Sequence, residues 1–308
     1  MSLLLDGVLC LALVAAAWRV TLERQPVSAA VGFIAFGLLL AIAWVRLAAV
    51  DVALTEAAVG SGITGVVLLR AAARMPPPAG PPGLPLRLCA ALVSLVAAAA
   101  IAALVLTLPE PAPSLAPAVA QAMPATELGN PVTGVLMVFR ALDTVLETVV
   151  VLLAVIGVWA LAPERHWGHA PAPLWPAAPE APVVFLARAL VPLGVLLGLY
   201  QLWAGADIPG GKFQGAALLA AMALLLLMAG LARPPALGSG RLRGLLLAGP
   251  FVFLAVGVAG WATAGVFLGY PAGFVKPVII LVEVASTASI ALALALLVLG
   301  PPQAEEGP

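Results

Sequence analysis

The sequence predicts an all-α, polytopic membrane protein with about nine transmembrane helices. Three observations carry this. Of 308 residues, 63% are hydrophobic and only 9% charged, with a mean hydropathy of +1.16; a soluble domain keeps about a quarter of its residues charged. Apolar runs recur at the length of about 20 residues that a helix needs to cross a bilayer. Between them stand proline- and glycine-rich breaks: MPPPAGPPGLP (75–85), PEPAPSLAP (109–117), PAPLWPAAPEAP (171–182), RPPALGSG (233–240) and the tail GPPQAEEGP. Proline lacks an N–H and does not continue a helix cheaply, so these read as loops.

Nine spans follow, at roughly 2–18, 27–45, 49–70, 87–107, 138–161, 183–203, 212–232, 245–268 and 275–299. The first, MSLLLDGVLCLALVAAAWRV, lacks a basic leading segment and carries Asp6, so it is expected to be retained rather than cleaved as a signal peptide. The third is the most polar, holding Asp51 and Glu56. With loops numbered alternately, Arg19, Arg24, Arg70, Arg74, Arg87, Arg165, Arg188, Arg233, Arg241 and Arg243 fall on one side. Only Arg46, Lys212 and Lys276 fall on the other. The positive-inside rule then places the N-terminus outside and the C-terminus in the cytoplasm. Reporter fusions after residues 80 and 236 are expected to score cytoplasmic and one near 115 external; an external signal at 80 would overturn this topology.

The loops are too short for a soluble catalytic domain. They show no phosphate loop, dinucleotide fingerprint or cysteine cluster, so neither enzymatic activity nor a cofactor is expected. Zero formal net charge gives no basic footprint for nucleic acid. Cys10 and Cys89 sit in apolar runs and read as small hydrophobes. His166 and His169 in HWGH lack the carboxylates or cysteines of a metal site.

The informative residues are the charges inside apolar runs. In FRALDTVLET, Arg140, Asp143 and Glu147 are spaced i, i+3, i+7 on one helical face. A charge at the bilayer centre costs about 2.5–3.5 kcal/mol on insertion scales. Such a stripe must therefore face protein or water, as a proton relay or as an ion pair locking helices together. Asn130-Pro131 reads as an N-cap followed by proline at the first helical position. A helix from there to Leu161 would be roughly 45 Å long, so it must overhang, tilt or break. Asp51 near its helix start suits the dipole, whereas Glu56, deeper and beside Gly60, Ser61, Gly62 and Gly65, suits an ion path at a close helix contact. Glu283 lies mid-span with Ser286 and Thr287 on its face. Lys276 is on that face too, but about 10 Å away by helix rise. In WAGADIPGGKFQGAALL, Asp207 precedes a Pro-Gly-Gly break and Lys212 opens the next helix. A cation is disfavoured at that end, so a carboxylate partner is expected.

These motifs resemble three modules of the Mrp-type multisubunit cation/proton antiporters and of related hydrogenase membrane arms. DVALTEAAVGSGITGVVLL resembles the MbhD-type segment, NPVTGVLMVFRALDTVLETVVVLLAVIGVWAL the MbhE-type segment, and GADIPGGKFQGAALLAA the MrpB signature. They imply an MbhD-like module at 1–80, an MbhE-like module at 81–170 and an MrpB-like module at 171–308. This sequence departs from the family at Val138 and Leu146, where Asp and Gly are usual. It also reads Gly205-Ala206-Asp207 for Gly-His-Asn, and has Lys212 for the last Gly of Pro-Gly-Gly-Gly-Phe. The resemblance implies a membrane subunit of a Na⁺/H⁺ antiporter complex in the inner (cytoplasmic) membrane, without a cofactor. Its partners would be other membrane subunits, among them a large antiporter-like one, with the bilayer around it and Na⁺ and H⁺ as transported ions. The expected proton or ion path comprises Asp51, Glu56, Arg140, Asp143, Glu147, Asp207, Lys212 and Glu283. Two alternatives stand beside it: a membrane-arm subunit of a hydrogenase-like, redox or carbon-handling complex, and a free-standing secondary transporter. The last usually shows internal repeats, and none is evident here.

Overall fold

The computed structural model describes residues 2–76, 80, 83–109, 111, 113–171 and 180–303. The chain begins with a hairpin, α1 (Ser2–Leu22) and α2 (Pro26–Arg46), with Pro26 at the first helical turn of α2. Arg46 at the end of α2 returns to Asp6 in α1 as a two-point pair, Nε to Oδ1 at 2.9 Å and a terminal nitrogen to Oδ2 at 3.1 Å. The acid that argued against a signal peptide thus closes the hairpin.

Next, α3 (Val50–Ala72) contains a π-helical segment, Glu56–Ile63. It lies against α2 through small residues. A Cβ on Gly65 would strike the Ile34 side chain, and one on Gly37 would strike Ser61. Bilayer helices gain little from hydrophobicity when they associate, so close approach through such residues supplies the van der Waals contact. Helix α4 (Leu84–Leu106) is apolar apart from Arg87 and Ser94 and buries no residue; Cys89 lies on it, and Cys89 and Cys10 are both exposed.

After α5 (Ala116–Ala122) and a short 3₁₀ turn, the chain reaches α6 (Pro131–Gly134), the π-turn Val135–Phe139 and α7 (Ala141–Trp159). The long helix expected from Asn130 therefore breaks. Arg140, at φ −132° and ψ 37°, leaves helical geometry and separates the two parts.

Four helices complete the bundle: α8 (Ala181–Ala204), α9 (Lys212–Met228), α10 (Gly240–Thr263) and α11 (Val275–Leu299). Among the described residues, eight helices are long and apolar enough to cross a membrane. The remaining predicted span is α9, with 17 residues, or about 25 Å by helix rise. Helices α8 and α9 touch backbone to backbone: a Cβ on Gly198 would lie 3.2 Å from the Gly215 carbonyl, and one on Gly215 2.7 Å from that of Gly198.

Helix α11 is the axis of the bundle and packs on α7, α9 and α10. Its inner face carries Ile279, Val282, Ile290, Leu296 and Val298, all at most 1% exposed. Pro250 in α10 cannot donate to the Leu246 carbonyl one turn earlier; the Ser289 hydroxyl of α11 donates to that carbonyl at 2.5 Å instead. A helix break in one element is thereby repaired by a side chain of its neighbour.

Candidate functional site

Segments far apart in sequence meet at a cavity of about 480 Å³. Its polar lining comes from Asp51 and Thr55 of α3, Thr133 of α6, Thr144 and Glu147 of α7, Lys212 and Gln214 of α9 and Glu283 of α11.

The roof is the turn between α8 and α9. Gly210 and Gly211 stand at φ 157° and 139°, and a Cβ on Gly205 would strike Gly211. Only glycine takes these conformations without strain. The Gly205 and Gly211 N–H groups both donate to the Gln201 carbonyl, at 3.2 and 2.9 Å. Asp51 fixes the turn from the other side by accepting from Gly210 N at 3.0 Å and from Asn130 Nδ2 at 3.3 Å. Asn130 Nδ2 also donates to the Gly205 and Ile208 carbonyls, at 3.2 and 3.1 Å, while Asn130 Oδ1 caps α6 at Val132 N, 2.9 Å away. Gln214 Nε2 donates to Thr55 Oγ1 at 2.9 Å. One asparagine therefore ties three segments together. Asn130→Ala is expected to lower the melting temperature of the detergent-solubilised chain by several degrees; a lost cap alone costs about 0.5–2 kcal/mol. An unchanged melt would contradict this role.

Within the cavity the charges are few and poorly satisfied. Lys212 Nζ lies 4.0 Å from Glu147 Oε2, and the two side chains are 8% and 49% exposed. The ammonium also rests over the rings of Phe213 and Phe253, 5.0 and 5.9 Å from their centroids. The carboxylate expected for Lys212 is thus Glu147, with Glu283 lining the same space. Glu283 is 3% exposed. Among the described residues, neither Lys212 Nζ nor Glu283 Oε2 has a hydrogen-bond partner, and the buried hydroxyls of Ser286 and Thr287 share that state. They continue the polar line from Glu283 by one helical turn. Unsatisfied polar groups are costly away from water, and a string of them beside an acid is suited to passing a proton.

The other charged residues lie elsewhere. Arg140 pairs with Asp143 at 2.5 Å, with side chains 70% and 51% exposed, on the outside of the bundle. The spacing alone suggests that Arg140 balances both acids of its stripe; instead, Glu147 takes Lys212 as its cation. Asp207 pairs with Lys276 at 2.7 Å on the outer side of the glycine turn, so Lys276 is engaged away from Glu283. Glu56 lies in the π-segment of α3 with its carboxylate beside Gly37 and Gly60, outside the cavity lining.

Several residues of the site were not singled out by sequence. Thr144 Oγ1 donates to the Leu136 carbonyl at 2.6 Å and Tyr270 to that of Met137 at 2.8 Å, both in the π-turn. Gln214 and Phe253 complete the surroundings of Lys212. The available signal was a polar residue in an apolar run, which Thr144 and Gln214 both give. Among the described residues, no three His, Cys, Asp or Glu side chains converge as a metal site.

Fold and cavity define a multi-pass helical membrane module with buried ionisable groups. Residues 11–77 match the MbhD family, which is a family of MBH subunits, and residues 182–301 match the domain related to the MnhB subunit of the Na⁺/H⁺ antiporter. The chain thus carries an MbhD-like module followed by an MnhB-like module. A chain of the Mrp complex from Dietzia sp. DQ12-45-1b superimposes with a TM-score of 0.79 at 25% identity, over 98% of this chain and 35% of that one. The chain therefore spans about a third of the length of that relative. A chain of the membrane-bound sulfane sulfur reductase, an archaeal respiratory membrane complex, superimposes with a TM-score of 0.54 at 22% identity. That match covers 69% of this chain and 96% of the other, and shows a shared fold. No curated protein matches the chain.

Proposed function

We propose that the chain is a membrane subunit of an Mrp-type cation/proton antiporter complex and contributes buried acids to its proton or ion path. The observation that carries this is the superposition on the Dietzia Mrp chain over 98% of the sequence, with both family matches inside it. The two matches fall within the proposed first and third modules, 1–80 and 171–308; in this reading an MbhE-like module occupies 81–170 between them. In this reading the partners are other membrane subunits, including a large antiporter-like one, in the cytoplasmic membrane with the C-terminus inside. The cavity holding Glu147, Lys212 and Glu283 is the conduction element. Glu56, Arg140, Asp143 and Asp207 line other faces of the molecule. There they act at contacts with partners or as separate steps of the path.

The likeness to the sulfane sulfur reductase chain supports a second reading, in which the same fold serves a redox complex and couples ion movement to chemistry in its partners. Mild-detergent purification separates the two. Co-purification with antiporter subunits and Na⁺-driven pH changes in vesicles support the first. Co-purification with redox subunits, without such pH changes, replaces it with the second.

A further inference from the structure

We propose that Lys212 is a tethered cation that reserves the cavity for protons, and that removing its charge turns the Glu147–Glu283 pair into a Na⁺ site. This rests on reading the cavity as part of a conduction path.

The first argument is charge. Three acids and one base face the space: Asp51, Glu147, Glu283 and Lys212. Asp51 is committed to the Gly210 N–H and to Asn130. That leaves two carboxylates, Glu147 half-exposed and Glu283 buried, sharing one ammonium, a deficit of one positive charge between them. Either a proton or a small cation can fill it.

The second argument is room and ligands. A proton needs only a carboxylate oxygen. A sodium ion needs a shell of oxygens, and Thr55, Thr133, Thr144 and Gln214 line the cavity beside the acids. The Thr133 and Thr144 hydroxyls donate their hydrogens to the Gly205 and Leu136 carbonyls, which leaves their oxygen lone pairs available to a cation; the ammonium is what keeps one out. The ammonium stands 4.0 Å from Glu147, where it repels a second cation.

The third argument is the loose hold on that ammonium. Lys212 is buried, yet among the described residues Nζ has no hydrogen-bond partner, and its carboxylate lies at the outer limit of an ion pair. A lysine head on a flexible stem shifts more readily than a forked guanidinium. It can lean toward whichever carboxylate is ionised while the other holds the proton. The Phe213 and Phe253 rings hold it within the cavity meanwhile.

The test measures binding, so it is independent of whether the complex exchanges ions. The full chain is reconstituted in lipid nanodiscs and melted at alkaline pH in NaCl or in choline chloride of equal ionic strength. Wild type and Lys212→Arg are expected to show no Na⁺-specific shift. Lys212→Gln removes the charge and adds an amide oxygen. It should melt roughly 2–4 °C higher in Na⁺, and adding Glu147→Gln should abolish the rise. Lys212→Met serves as a second variant. Overturning results are a folded Lys212→Gln or Lys212→Met chain with no Na⁺-specific shift, or a wild-type chain stabilised by Na⁺ in a way that Glu283→Gln removes. If neither variant folds, the wild-type comparison decides: a Na⁺-specific shift overturns the proposal and its absence supports it.

Discussion

Glu147→Gln is expected to leave the complex assembled and to reduce cation-driven proton exchange to the background of vesicles lacking it. Glutamine keeps the size and much of the hydrogen bonding of glutamate but does not titrate. Glu147 is half-exposed to the cavity and lies 4.0 Å from Lys212, so the substitution removes one titrating oxygen pair without opening a void. After it, Glu283 remains as the anionic partner facing the same ammonium. The measurement is the pH change in inverted vesicles on adding Na⁺, normalised to co-purified subunits. Full exchange from an assembled Glu147→Gln complex would remove Glu147 from the path and leave it a structural neighbour of Lys212.

Arg140→Ala is expected to act on assembly instead. Arg140 and Asp143 project from the head of α7, largely exposed, and pair with each other. An outward ion pair at the edge of a membrane span needs either the interface or another protein. With the arginine gone, Asp143 faces outward uncompensated. The cost approaches about 2.5–3.5 kcal/mol toward the bilayer centre and is less near the interface. Recovery of partner subunits should fall by up to about a hundredfold, while Glu147 and Lys212 stay in place. Arg140→Ala with Asp143→Ala should recover more partner than Arg140→Ala alone. Undiminished co-purification after Arg140→Ala would show that this pair faces lipid headgroups.

Much of the architecture was legible because it is local. Apolar runs bounded by proline located the helices, and the Asn130-Pro131 pair announced a cap and a first turn that the structure contains. The Pro-Gly-Gly break predicted the turn before Lys212, whose glycines adopt positive φ. What sequence did not give is set by distant contacts. Pairing of Lys212 with Glu147 joins residues 65 positions apart. Nothing in the i, i+3, i+7 spacing of Arg140, Asp143 and Glu147 foretold that a break at Arg140 would divide them. The π-turn preceding it leaves carbonyls that Thr144 and Tyr270 satisfy, and a donor as distant as Tyr270 has no local signature. Asp207 and Lys276 behave likewise, each being an isolated charge until the bundle brings them together.

The π-turn Val135–Phe139 also has a meaning that concerns chain length rather than side-chain chemistry. Such a turn is an α-helix carrying one surplus residue, and each residue advances an α-helix by about 100°. The surplus sets the phase between two anchors: Asn130, held by the glycine turn, and Glu147, facing Lys212. Winding the same five residues 135–139 as regular α-helix would rotate α7 by about that angle against α6. The glutamate would then point away from the cavity whenever the asparagine kept its bonds. Along this stretch the width of the turn matters as much as the identity of any group that lines the site.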